Sequence, residues 1–104
     1  MKASAPKSWL SSILVLLALA FAVQAEFRGA WISSVHNLDW PSKKGLPAAQ
    51  QKAELLRLLD SAKSLGLTDV FFQVRPEGDA LYRSSLEPWS RFLTGTQGKD
   101  PGYD

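Results

Sequence analysis

Residues 71–82 read FFQVRPEGDALY, an apolar run that gives way at once to Arg75, Glu77 and Asp79, with Pro76 and Gly78 between the charges. Thr68–Val74 is nearly continuous in apolar and β-branched residues, the pattern of a strand buried on both faces. Its abrupt end in charge and turn residues marks the point where a buried strand surfaces. Working backwards, Pro47–Leu65 carries Leu55, Leu58, Leu59, Ala62 and Leu65 on one helical stripe. Pro47 sits near the first turn of that helix and Gly66 is placed as its left-handed stop. Upstream again, Arg28–Val35 (RGAWISSV) alternates as a strand, with Ala30 and Ile32 on one side and Trp31, Ser33 and Val35 on the other.

Strand, helix, strand is a βαβ unit with parallel strands and a right-handed crossover. Alone it leaves both sheet edges and one sheet face uncovered. Arg75–Asp104 shows no convincing long helix or strand, and a structureless stretch of that length is unusual outside functional loops. The expectation is therefore an α/β chain that forms the N-terminal part of a larger barrel or doubly wound protein.

The first 25 residues read as a secretory signal peptide. Lys2 and Lys7 form a basic start, Leu10–Val23 an apolar core, and Val23-Gln24-Ala25 a small-residue cleavage site. The alternative, an uncleaved membrane anchor, is less favoured because a core of roughly 14 residues falls short of the ~20 that span hydrocarbon, and no stable membrane insertion is expected after cleavage. Removal takes Lys2 and Lys7 from the twelve Lys and Arg and nothing from the ten Asp and Glu, leaving a formally neutral chain. The basic balance thus belongs mostly to the leader and supports neither nucleic-acid nor anionic-membrane binding. The chain has no cysteine, which excludes a disulfide framework, thiolate chemistry and cysteine zinc sites.

In parallel α/β folds the ligand crevice lies beyond the carboxyl ends of the strands. The first strand runs on into His36-Asn37-Leu38-Asp39-Trp40-Pro41, the second into Arg75–Tyr82. Arg75 offers a planar fork of donors, Glu77 and Asp79 offer acceptors, and Trp31, Trp40, Tyr82 and Trp89 offer flat apolar faces. That mixture suits a sugar, which needs hydrogen bonds at its hydroxyls and stacking on its C–H face. No glycine pattern follows a strand and opens a helix, so dinucleotide or phosphate cradling is disfavoured and no cofactor is expected.

At the same residues the sequence resembles a known family. EFRGAWISSVHNLDWPSK (26–43) and FFQVRPEGDALYRSSLEPWSRFLTGTQGKDPGYD (71–104) are similar to the glycosyl hydrolase-like 10 family of bacterial exported proteins, and the resemblance runs from Glu26 to Asp104. It implies a TIM (β/α)8 barrel whose first strand is Arg28–Val35 and whose second is Thr68–Val74. A full barrel takes about 250 residues, so later strands lie outside this sequence. The family implies glycoside hydrolysis, with some relatives acting on cell-wall glycans, and a carbohydrate as partner.

Residue by residue, alternatives stay open. Glu77 and Asp79 are weak candidates for a catalytic carboxylate pair, since residues two apart in extended chain lie ~7 Å apart. The favoured reading makes Arg75, Glu77 and Asp79 a hydrogen-bonded network that orients substrate or a catalytic group. Against it stands simple satisfaction of loop N–H groups or pairing with Arg75. Asp39 shares the rim, and Trp40 either stacks on a sugar or packs its loop. Trp31 is more suited to core than platform, and Arg28 to a structural role. A metal site from His36, Asp39 and Glu77 has little support, and none is expected. A glycoside hydrolase, a noncatalytic carbohydrate-binding barrel and an inactive fragment are the three functional readings. Export is expected to cleave after Ala25 and leave Glu26 at the terminus; mass spectrometry of the secreted product checks this, and recovery of Lys2 in it would overturn it.

Overall fold

The computed structural model describes residues 10–16, which are helical, and residues 26–104. The remainder of the expected export segment and its cleavage site lie outside the described residues. Among the described residues, no helix is long and apolar enough to cross a membrane.

From Glu26 onward the order is β1 (Gly29–Ile32), a 3-10 turn (Val35–Asn37), α1 (Ala48–Ser64), β2 (Asp69–Phe72) and a one-turn helix α2 (Arg91–Thr94). β1 and β2 pair in parallel, with Gly29 opposite Asp69 and Ile32 opposite Phe72. This is the expected βαβ unit, a small parallel sheet compatible with part of an α/β fold. Both strands are shorter than their sequence patterns. β1 stops at Ile32 because Ser34 already has helical dihedrals (φ −104°, ψ −22°) and leads the chain into the 3-10 turn.

The crossover helix is framed by its backbone. The Pro47 carbonyl accepts from Gln50 and Gln51 N–H at 2.9 and 3.0 Å, and Pro47 lacks the N–H that a helix start would leave unpaired. At the other end Gly66 has φ +77°. Its N–H reaches Lys63 O and the Leu67 N–H reaches Ala62 O, both at 3.0 Å, which together make a Schellman closure. A Cβ on Gly66 would meet nothing nearer than Arg28 at 3.6 Å, so glycine is required there by its dihedral and not by space. The buried side of α1 is narrower than its apolar stripe. Leu55 and Leu58 pack on the core, whereas Leu59 and Leu65 are exposed, and the one fully buried helix residue is Gln51.

Ile32, Trp40 and Leu93 form the buried core, and Leu55, Leu58, Val70, Phe72, Leu81, Trp89 and Tyr103 pack against it. Leu81, Trp89, Leu93 and Tyr103 all come from the stretch expected to be without structure, which is instead folded onto the sheet. An isolated bridge pairs Ala80 with Trp89. Ala80 N–H donates to Pro88 O at 2.9 Å and Ser90 N–H to Ala80 O at 2.8 Å. The Ser90 side chain then caps α2, and Gly95 (φ +94°) closes it. Aperiodic anchors fix this segment, so no periodic signal announced it.

Strand alternation puts Ile32, Val70 and Phe72 toward α1 and Trp31 and Phe71 on the other side. β2 is therefore covered on one face only, not on both as its composition suggested. Trp31 is 61 % and Phe71 50 % exposed, and Phe27 meets Phe71 edge-on at 5.8 Å. An uncovered aromatic sheet face is costly in water. Residues 26–104 expressed alone are expected to melt without a cooperative transition; a sharp two-state thermal transition of the monomer would contradict this.

Candidate functional site

The carboxyl ends of β1 and β2 are joined by one side chain. Gln73 follows β2, and its Oε1 accepts from Ser34 N–H and Val35 N–H, both at 2.9 Å, and from Ser33 Oγ at 3.1 Å. Ser34 Oγ donates to the Gln73 carbonyl at 2.7 Å, and Gln73 N–H continues the ladder to Ile32 O at 3.0 Å. Asp39 completes the turn above β1. Its Oδ2 accepts from Ser33 N–H at 2.7 Å, while Asp39 and Trp40 N–H both donate to Ser33 O. His36 and Asn37 hold positive φ (54° and 52°), a costly arrangement for residues with a Cβ. Asn37 Nδ2 offsets it by donating to Pro41 O at 2.8 Å and Phe92 O at 2.9 Å, and the His36 ring lies edge-on to Phe92.

The charged residues pair differently from the expected network. Arg75 Nη2 bonds Glu87 at 2.7 Å, not Glu77 or Asp79. Glu77 instead takes a two-point grip from Arg91, at 2.8 and 3.0 Å. Asp79 Oδ1 accepts from Glu77 N–H at 3.0 Å across a tight turn in which Gly78 has φ +72°. That turn is the physical reason for the re-pairing, because it folds Asp79 inward, 1 % exposed, and leaves Glu77 outside facing α2. Asp79 Oδ2 has no hydrogen-bond partner among the described residues. The Arg91 hydrogen bonds hold the Glu77 carboxyl below the usual carboxylate range, with a smaller push in the same direction from the charge of His36.

Trp40 is in the core and offers no face for stacking. It is 3 % exposed, donates Nε1–H to Gln51 O at 2.8 Å and meets Phe72 edge-on at 5.4 Å. Asp39 stays at the surface, Tyr82 is 40 % exposed, and Trp31 lies on the open sheet face. Arg28 joins the amino end of the unit, where its carbonyl accepts from Thr68 N–H at 2.8 Å. Among the described residues no three His, Asp or Glu side chains converge as a metal would need. An apolar cleft beside the unit, about 360 Å³ and lined by Ala30, Ile32, Leu58, Leu65 and Val70, follows the seam between β1 and α1 and reaches the post-β1 loop at Leu38 and Asp39.

Two amides at the heart of this arrangement have no periodic signature in the sequence. Gln73 is one. Gln51 is the other: its Nε2 donates to Leu46 O at 2.8 Å and Leu93 O at 2.9 Å, and its Oε1 accepts from Tyr103 O–H at 2.6 Å. Burial pushes the Tyr103 phenol up to about 12, so it remains the donor in that bond throughout the physiological range. The available signal was a polar residue in the expected inward register, which is informative because buried polar groups are retained with partners.

Comparison with known proteins supplies the family. The model of the family described as glycosyl hydrolase-like 10 matches residues 26–104. Glycosyl hydrolase YngK of Bacillus subtilis (strain 168) is 54 % identical over 79 residues, covering 76 % of this chain and 16 % of the relative. Glycosyl hydrolase DigH of Escherichia coli (strain K12) is 42 % identical over 84 residues, covering 74 % of this chain and 19 % of the relative. The chain thus spans less than a fifth of the length of these curated relatives. With a family model matched across the whole folded stretch and two such relatives, the chain belongs to the glycosyl hydrolase-like 10 family.

Proposed function

We propose that this chain is the opening βαβ unit of an exported TIM-barrel glycoside hydrolase that acts on glycosidic bonds of envelope or extracellular polysaccharide, including cell-wall glycan. The observation that carries the reading is the gathering of both post-strand loops at one sheet edge. Family membership supports carbohydrate as the ligand, and relatives named as glycosyl hydrolases support bond cleavage. On this reading Arg75, Asp39, Glu77 and Tyr82 belong to the glycan-binding rim, with Asp79 bracing the turn that presents Glu77.

Glu77 is a poor proton donor, because a general acid needs a raised pKa and Arg91 lowers this one. Asp79, 1 % exposed and bound to the loop backbone, is out of reach of a substrate in this arrangement. The acid and base carboxylates therefore belong to later strands of the same protein. The same observation favours a second reading, a noncatalytic carbohydrate-binding barrel that keeps this rim and lacks those carboxylates. Hydrolysis of peptidoglycan by the full-length protein decides between the two.

Two outcomes are expected. Because its folded pKa is depressed, Glu77 should stabilise the fold above the ordinary carboxylate pKa and lose that contribution as pH falls through the folded value. NMR titration of the full-length protein should find the Glu77 carboxyl below the ordinary range, and Arg91→Gln should return it there. Arg75→Lys should cost about 1.5–3 kcal/mol of glycan binding by losing the planar fork. Its pair with Glu87 is half-exposed, so the melting temperature should scarcely move. Unchanged glycan affinity in a stably folded Arg75→Lys protein would remove Arg75 from the site.

A further inference from the structure

We infer that Gln73 contacts the glycan directly, donating a hydrogen bond from Nε2 to a sugar oxygen at the floor of the rim; this rests on the carbohydrate reading above. Two backbone N–H groups, of Ser34 and Val35, bond one side of its carboxamide. Backbone N–H groups can only donate, so that side must be the oxygen, and the amide cannot flip. The Ser33 hydroxyl adds a third bond to the same atom. With Oε1 saturated, the remaining function of the group is donation from Nε2, which has no hydrogen-bond partner among the described residues.

Among the described residues that nitrogen is also open. Asp79 Oδ2 is the one buried, unpartnered side-chain polar atom among the described residues, so Nε2 is not sealed inside. Strand alternation carries the argument further. Gln73 stands two residues beyond Phe71 and on its face, opposite the side covered by α1, at the carboxyl end where the two loops diverge. A side chain needed only as a clasp would use the acceptor alone, and a carboxylate makes the stronger acceptor. The amide keeps the clasp and adds a donor held rigidly at the crevice, as a binding group requires.

The test separates clasp from contact in the full-length protein. Gln73→Glu keeps an acceptor for Ser33, Ser34 and Val35 but removes the donor, whereas Gln73→Met removes both. The probes are chito-oligosaccharides and solubilised peptidoglycan, with affinity measured by calorimetry and folding by thermal melting without ligand. Gln73→Glu should melt close to wild type and bind about tenfold more weakly; Gln73→Met should melt lower as well. Wild-type affinity in Gln73→Glu would overturn the inference and leave Gln73 a clasp only. Should the carboxylate itself unfold the protein, the side-chain ¹⁵N resonance of Gln73 in the wild type decides: a shift on titration with the probes supports contact, and an unmoved resonance overturns it. A wild-type protein that binds neither probe defeats the carbohydrate reading and this inference with it, a result distinct from a silent Gln73 in a protein that binds.

Discussion

The carboxamide of Gln73 is the constraint on which the arrangement depends. Where β1 ends, the N–H groups of Ser34 and Val35 lose their ladder partners, and Ser34 is completely buried. Leaving such groups unpaired costs about 1–3 kcal/mol each. A single oxygen from the neighbouring strand takes both, together with the Ser33 hydroxyl. The consequence is geometric as well as energetic. The post-β1 loop cannot splay from the sheet, so Asp39 is delivered to the rim and Trp40 turns under it into the core.

The same economy recurs across the unit. Among the described residues the buried apolar cluster is Ile32, Trp40 and Leu93, too little to hold an irregular stretch of chain by hydrophobic burial alone. Polar side chains supply the rest by bonding loop carbonyls that no secondary structure satisfies. Gln51 takes Leu46 and Leu93, and Asn37 takes Pro41 and Phe92. Each ties together segments far apart in sequence, and each answers the requirement that buried backbone groups find partners. Side-chain amides suit this work because they are neutral and carry donor and acceptor on one rigid plane.

This division explains what could be read from the residues. β1, α1, β2 and the Gly66 stop follow from local periodicity and from one left-handed dihedral, and those signals survive in any context. The ion pairs do not. Arg75 meets Glu87 and Glu77 meets Arg91 because of the path taken by residues 75–91, which is set by the turn at Gly78 and the bridge between Ala80 and Trp89. Proximity in sequence suggested Arg75 with Glu77 or Asp79. For Trp40 the residues left stacking on a sugar and packing its loop both open, and the approach of Phe72 and the Gln51 carbonyl gives its indole a buried site with its N–H satisfied.

The charge arrangement at the rim bears on what it can receive. Arg75 and Glu77 both arrive already paired, with Glu87 and Arg91, so these two pairs supply oriented donors and acceptors while adding little net charge. A free arginine or an anion-binding loop would favour phosphates and compete through long-range attraction. Paired groups instead have fixed directions and unused hydrogen-bonding capacity: Arg75 bonds Glu87 through one nitrogen and keeps the rest of its fork. A neutral polyhydroxylated ligand gains from direction more than from field strength, because its hydroxyls must exchange water for partners of comparable quality. Braced charges around a clamped amide therefore offer direction more than field strength, and that is the physical property on which the proposed carbohydrate reading rests.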